Sequence, residues 1–220
     1  DFCLSRGLGD VYKRQILKQA FDPLHLRIAE GLNELGVLYN DQGRYEEAEY
    51  FFLSSHAIIE QTIEQTSESP HPFFAGILNN LAVLYRKQGK IQQGLPIMQR
   101  ALSIQEDIFG PDHPNVATSL SNLAMLYDAL GDYEQAEALM QRAVSIRERA
   151  LGFSHLSVAA ALNNLARIYM NARKYEQVEQ LYQRILSIRE RILGQEHPLT
   201  QQAITELADF RSTQVERTIP

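Results

Sequence analysis

A chain of 220 residues with 45% hydrophobic and 22% charged side chains has enough apolar surface for a packed core, which excludes wholesale disorder. Acidic residues outnumber basic ones 27 to 21, a net charge of −6, so the basic footprint of a nucleic-acid binder is missing. One cysteine excludes a disulfide framework and a cysteine-built metal site, and neither a transmembrane-length apolar run nor a signal peptide is visible. The expectation is a soluble, helical, cytoplasmic protein with no cofactor and no membrane or nucleic-acid partner.

The opening DFCLSRGLGDVYKRQ fits nothing that follows. From Cys3 to Gln15 it resembles a translated sequencing adaptor, and GLGDVYKRQ matches one reading frame of a transposon-end sequence. That resemblance implies a non-native segment over 1–15, with Cys3 foreign to the protein and the reading frame cut at its start.

Beyond it the chain is periodic. His71-Pro72, His113-Pro114, His155-Leu156 and His197-Pro198 recur every 42 residues. LNNLAVLYRKQGK (78–90), LSNLAMLYDALGD (120–132) and LNNLARIYMNARK (162–174) keep the same register. An earlier copy, LNELGVLYNDQGR (32–44), stands 46 residues before the next, so extra residues are expected around QTSESP (65–70).

Each copy reads as two helices. In the third, Leu120, Leu123, Ala124 and Tyr127 form one stripe at i, i+3, i+4 and i+7. Leu130-Gly131-Asp132 supplies a turn whose glycine can take the left-handed conformation of a helix end. Ala136, Leu139, Met140, Ala143 and Ile146 form the second stripe, and Pro after His suits a first helical turn. Neither helix buries its stripe alone, so neighbouring repeats must stack into an all-α solenoid.

The pattern Leu-x-x-Leu-Ala-x-x-Tyr, then Gly-x-Tyr-x-x-Ala, resembles the tetratricopeptide repeat. A small residue recurs at Gly36, Ala82, Ala124 and Ala166, with an aromatic at Tyr39, Tyr85, Tyr127 and Tyr169. In the partner helix Ala48, Gly94, Ala136 and Val178 take the small position, and Phe52, Met98, Met140 and Tyr182 the bulky one. The 42-residue length, the HP entry and the SIRERxLG close are similar to the kinesin-light-chain and nephrocystin variety. The resemblance implies a right-handed superhelical solenoid of antiparallel helix pairs. Its domain would span 25–214, with repeats at about 25–70, 71–112, 113–154 and 155–196 and a half-repeat or cap at 197–214. Residues 16–24 resemble the end of a truncated preceding repeat, and 215–220 read as a tail. Gly94 and Pro96 depart from an ordinary helix interior, where a local kink is expected and not a break.

The same resemblance lines the inner groove with the first helix of each repeat. Asn80, Asn122 and Asn164 occupy one groove position, with Glu34 and Glu206 at the ends; Asn79, Ser121 and Asn163 widen it. An amide carries donors and an acceptor, so such a row can hold an extended peptide backbone without reading its sequence. The bland alternative is that each Asn satisfies a helix surface or a neighbouring repeat. Arg86, Lys87 and Arg167 would favour an acidic ligand segment, balanced by Glu30, Glu34, Asp41 and Asp128. Met125, with Val83 and Met170, would add adaptable apolar contact or ordinary inter-repeat packing.

The histidines head separate repeats, which spreads them along the solenoid instead of around a metal, so helix entry or packing is expected and a metal site is not. His56 lies alone in a second helix, and no nucleophile elbow or phosphate loop accompanies any Ser, His and Glu set, so no enzyme is expected. Arg147, Arg149, Arg189 and Arg191 near helix C-termini suit the helix dipole. Function then reads as a protein-interaction scaffold that binds a partner's peptide segment in its groove. The alternative is a structural or regulatory arm acting on an effector domain of a larger chain.

Overall fold

The computed structural model describes residues 26–66 and 72–218, all within or between helices. The adaptor-like segment, residues 16–24, Cys3, His25 and His71 lie outside the described residues. Helices α1 (26–41), α2 (Tyr45–Thr66), α3 (Pro72–Lys87), α4 (Ile91–Phe109), α5 (Pro114–Leu130), α6 (Tyr133–Leu151), α7 (Leu156–Asn171), α8 (Tyr175–Leu193) and α9 (Pro198–Thr218) follow one another, with no strand among the described residues. Helix α9 runs to Thr218, into the segment read from sequence as a tail. The chain divides into two compact units, Asp1–Ile104 and Gln105–Pro220.

In the first unit Phe74, Ala75, Ile77 and Leu78 of α3 meet Ala29 of α1, Ile59 of α2 and Ala101 and Ile104 of α4. A second cluster joins Ala48 and Phe52 of α2 to Leu81, Leu84 and Tyr85 of α3. Each large apolar side chain so covered contributes about 1.5–3 kcal/mol. Helices α1 and α2 approach closely at Gly36. A Cβ on Gly36 would stand 2.6 Å from the Phe52 ring, so the ring as placed here leaves no room for a side chain at the small position. Helix α4 continues through Pro96.

In the second unit α5 packs on α6 and α7, α6 on α7, α7 on α8, and α8 on α9. Leu120, Leu123 and Ala124 are buried as the periodicity requires, as are Ala136, Met140, Ala143 and Ile146. Helix ends follow from local chemistry. Gly131 adopts φ 80° and its N–H closes α5 on the Tyr127 and Asp128 carbonyls. Asp132 accepts the Gln135 N–H at 3.2 Å and starts α6. The fourth repeat does both differently: Arg173 takes φ 60° where the others have glycine, and Lys174 opens α8 with no side-chain cap. A left-handed non-glycine residue costs about 1–2 kcal/mol, which packing of α7 on α8 must offset.

A candidate protein-interaction surface on the first helices

The first helices present the polar positions that the sequence singles out, and many are engaged across neighbouring repeats. In the first unit the Asn80 amide donates to Asn33 Oδ1 at 3.0 Å, and Lys87 Nζ donates to Asn40 Oδ1 at 3.1 Å. Both bonds join residues 47 apart, one more than the local repeat spacing. Asn79 and Arg86 are half-buried and have partners of their own. Glu30, Glu34 and Asp41 of α1 are exposed.

The second unit repeats one of these rungs. Asn171 donates to Asp128 Oδ1 at 2.8 Å, across 43 residues, again one beyond the repeat. Arg167 brings Nη2 within 2.6 Å of Met125 Sδ and Nε within 3.5 Å of Asp128 Oδ2. Met125 is 7% exposed, so its thioether fills the space between α5 and α7. Ser121 is buried too; its hydroxyl donates to the Ala117 carbonyl and accepts from Arg147 Nη1 at 2.8 Å. Asn122 is half-buried and has a partner.

Helix α7 is different. Asn164 is half-buried and makes no side-chain hydrogen bond with another described residue. Beside it Asn163 holds Oδ1 in a buried position without a donor. One repeat later, Glu206 accepts from Gln202 through Oε1, while its Oε2 is buried without a donor. Unmet acceptors cost free energy until a donor arrives.

Sequence reasoning missed the acceptors Asn33, Asn40 and Asp128 as partners, together with Asn171. The available signal was a polar pair separated by one repeat plus one residue. It also put all four C-terminal arginines at the helix dipole. Arg149 and Arg191 are exposed, but Arg147 is half-buried on Ser121, where burial lowers its pKa, and Arg189 is buried with Nη1 on the Leu199 carbonyl. The RER spacing of two residues turns one arginine inward and the next outward.

Second helices are tied by charge. Arg100–Glu60 at 3.1 Å, Arg142–Glu106 at 2.7 Å and Arg184–Glu148 at 2.5 Å occupy one register position in successive repeats. Lys90–Glu49 and Lys174–Glu137 form another pair of rungs. Burial opposes ionisation of Glu49, yet hydrogen bonds from Lys90 and Gln88 hold its carboxyl below the usual range. Burial and the Glu49 charge push the Tyr85 phenol up to about 12. His56 lies where later repeats have Leu102, Val144 and Leu186, and lines a cleft of about 370 Å³ with Leu53, Glu60, Pro96 and Arg100. Burial lowers its pKa, with Glu60 opposing. No group of three or more metal-ligating side chains gathers among the described residues. No helix among them is long and apolar enough to cross a membrane.

Tetratricopeptide-repeat family profiles match residues 73–149, and 28–72 together with 158–199. The chain is a tetratricopeptide-repeat protein. Among solved structures, it is similar to the kinesin-light-chain protein of nearly identical TPR-like repeats from Podosopora anserina. The identity is 26%, over 88% of this chain and 89% of that one, with a TM-score of 0.75. BtubC (BKLC) from P. vanneervenii shares the fold at 24% identity, covering 94% and 81% with a TM-score of 0.74. A tetratricopeptide-repeat protein from Parabacteroides merdae does so at 24%, covering 85% and 61% with a TM-score of 0.55. No curated protein sequence matches the chain. Tetratricopeptide repeats form scaffolds for protein–protein interaction, and that coarse role belongs to this chain.

Proposed function

We propose that the scaffold holds an extended peptide segment of a partner along its first helices, with α7 as the principal contact in the second unit. The observation that carries this reading is on α7, where Asn163 Oδ1 is buried without a donor and the adjacent Asn164, half-buried, makes no side-chain hydrogen bond with another described residue. A peptide backbone offers alternating N–H and C=O groups and so matches this adjacent pair of amides. Asn122 on α5 lies one repeat earlier at the register of Asn164 and extends the row. Asn79 and Asn80 on α3 would add contacts in the first unit, with Asn80 keeping its bond to Asn33. Ser121 and Met125 would act beneath the ligand by fixing α5 against α6 and α7 instead of touching it. Arg86, Lys87 and Arg167 would bias the ligand toward acidic side chains, less strongly for Arg167 because Asp128 already balances part of its charge. The scaffold would be largely preformed, so ordering of the peptide would dominate the cost of binding.

Selection of displayed random peptides against the full chain tests this reading, run in parallel on an Asn122→Ala/Asn164→Ala variant of unchanged helicity. A motif enriched by the parent and lost by the variant is the expected result. Equal enrichment by both would remove the amide row from the mechanism.

A further inference from the structure

One kind of rung recurs between the first helices, and its last copy is inverted. Asn80 of α3 donates to Asn33 of α1 at 3.0 Å, so the later helix supplies the donor and the earlier one the acceptor. Carried forward by the repeat spacing, the same rung pairs Asn164 of α7 with Ser121 of α5, and Glu206 of α9 with Asn163 of α7. Each pair lies one repeat plus one residue apart, as do the bonded Asn171 and Asp128. The Ser121 hydroxyl is already engaged by the Ala117 carbonyl and Arg147, which leaves Asn164 without that partner. At the α9 end the donor has become a carboxylate. Glu206 Oε2 and Asn163 Oδ1 are both buried without a donor, while Glu206 Oε1 accepts from Gln202 at 2.7 Å. Two acceptors therefore occupy a rung that between α1 and α3 holds a donor and an acceptor. We propose that this rung is a site for a cationic side chain, the lysine or arginine of a bound peptide, whose N–H groups bridge Glu206 Oε2 and Asn163 Oδ1.

The inference rests on the peptide reading above and names one side chain of that peptide. A buried carboxylate oxygen and a buried amide oxygen without donors have given up their hydrogen bonds to water with nothing in return. Only a donor restores both, and a charged donor does so more strongly than a neutral one. Three cations of these helices are committed elsewhere. Arg189 of α8 donates to the Leu199 carbonyl, Arg211 of α9 to Glu179, and Arg167 of α7 lies against Met125 and Asp128. Burial first, and then the charge of Glu206, raise the pKa of the Tyr182 phenol on α8, so that charge is felt in the half-buried surroundings of α9. A peptide ammonium or guanidinium would bring the missing donors and the opposite charge in one group.

Stability and selection test the site separately. Without any ligand, Glu206→Gln gives the rung its missing donor and removes the unpaired charge, so the thermal midpoint of the full chain should rise by roughly 2–4 °C. An unchanged or lower midpoint would overturn the inference, since the Asn163 amide would then already be donating to Glu206. Selection of displayed random peptides is run on the parent and on Glu206→Gln. The parent should enrich peptides with Lys or Arg at one fixed position. Alanine in place of that residue should weaken binding to the parent about tenfold, and to the variant by less than about twofold. Enrichment by the parent without a fixed basic position, or an equal loss in both proteins, would overturn the inference and leave the peptide reading standing. No enrichment by the parent would remove the peptide reading and the inference with it.

Discussion

The two units use the same repeat positions differently. In the first, Asn80 is tied to Asn33, Gly36 makes room for Phe52, and Gly43 and Gly89 take the left-handed turns. In the second, Asn164 has no such tie, Ala166 and Tyr182 take the small and bulky positions, and Arg173 is held in the conformation that glycine adopts elsewhere. The repeat is therefore a frame whose positions can serve stacking in one place and be left available in another. A residue's register fixes where it lies, and its neighbours one repeat away decide what it does.

The largest expected effect is at Gly36, where α1 meets α2. Gly36→Ala should destabilise by about 1–3 kcal/mol in urea unfolding, because its Cβ meets a ring and not a flexible tip. Adding Phe52→Met, the pairing that Ala82 with Met98 already uses, should recover most of the loss. Failure to recover would mean that size complementarity at this pair does not set the packing. Next, Asn80→Ala should cost about 1 kcal/mol by leaving Asn33 without its donor. Asn164→Ala should stay within about 0.5 kcal/mol of the parent. Equal costs would erase the distinction between the units.

Arg173→Gly should raise stability by about 0.5–1 kcal/mol, the relief of left-handed strain less the greater chain entropy of glycine. A loss there would show that the arginine side chain has a structural task. Smallest of all, Arg184→Gln should cost about 0.5 kcal/mol and less in high salt, since one partner of the Glu148 pair remains substantially exposed. A larger, salt-insensitive cost would make the charged rungs a principal determinant of stacking.

Helix identity and pairing were legible because the apolar stripes recur in register four times and leave little freedom for any other period. The small and bulky positions were legible for the same reason. The amide row was found by position, but its division between stacking and availability was not. That division depends on contacts across a repeat, between residues 43 or 47 apart, and no local pattern announces them. Ser121 and Arg147 show the same limit: a serine on a polar stretch and an arginine near a helix end become mutual partners only when α5 meets α6. His113, His155 and His197 stand at helix entries as the repeat spacing suggested, while their use as acceptors required the backbone geometry.

The most direct measurement of the central claim is calorimetric titration of a peptide recovered by display into the parent, Asn164→Ala and Asn80→Ala, each with its helicity verified. A drop of at least about tenfold for Asn164→Ala, equivalent to about 1.4 kcal/mol, with a smaller drop for Asn80→Ala, is the expected result. Unchanged affinity for Asn164→Ala would contradict it and return the amides of α7 to the ordinary helix surface.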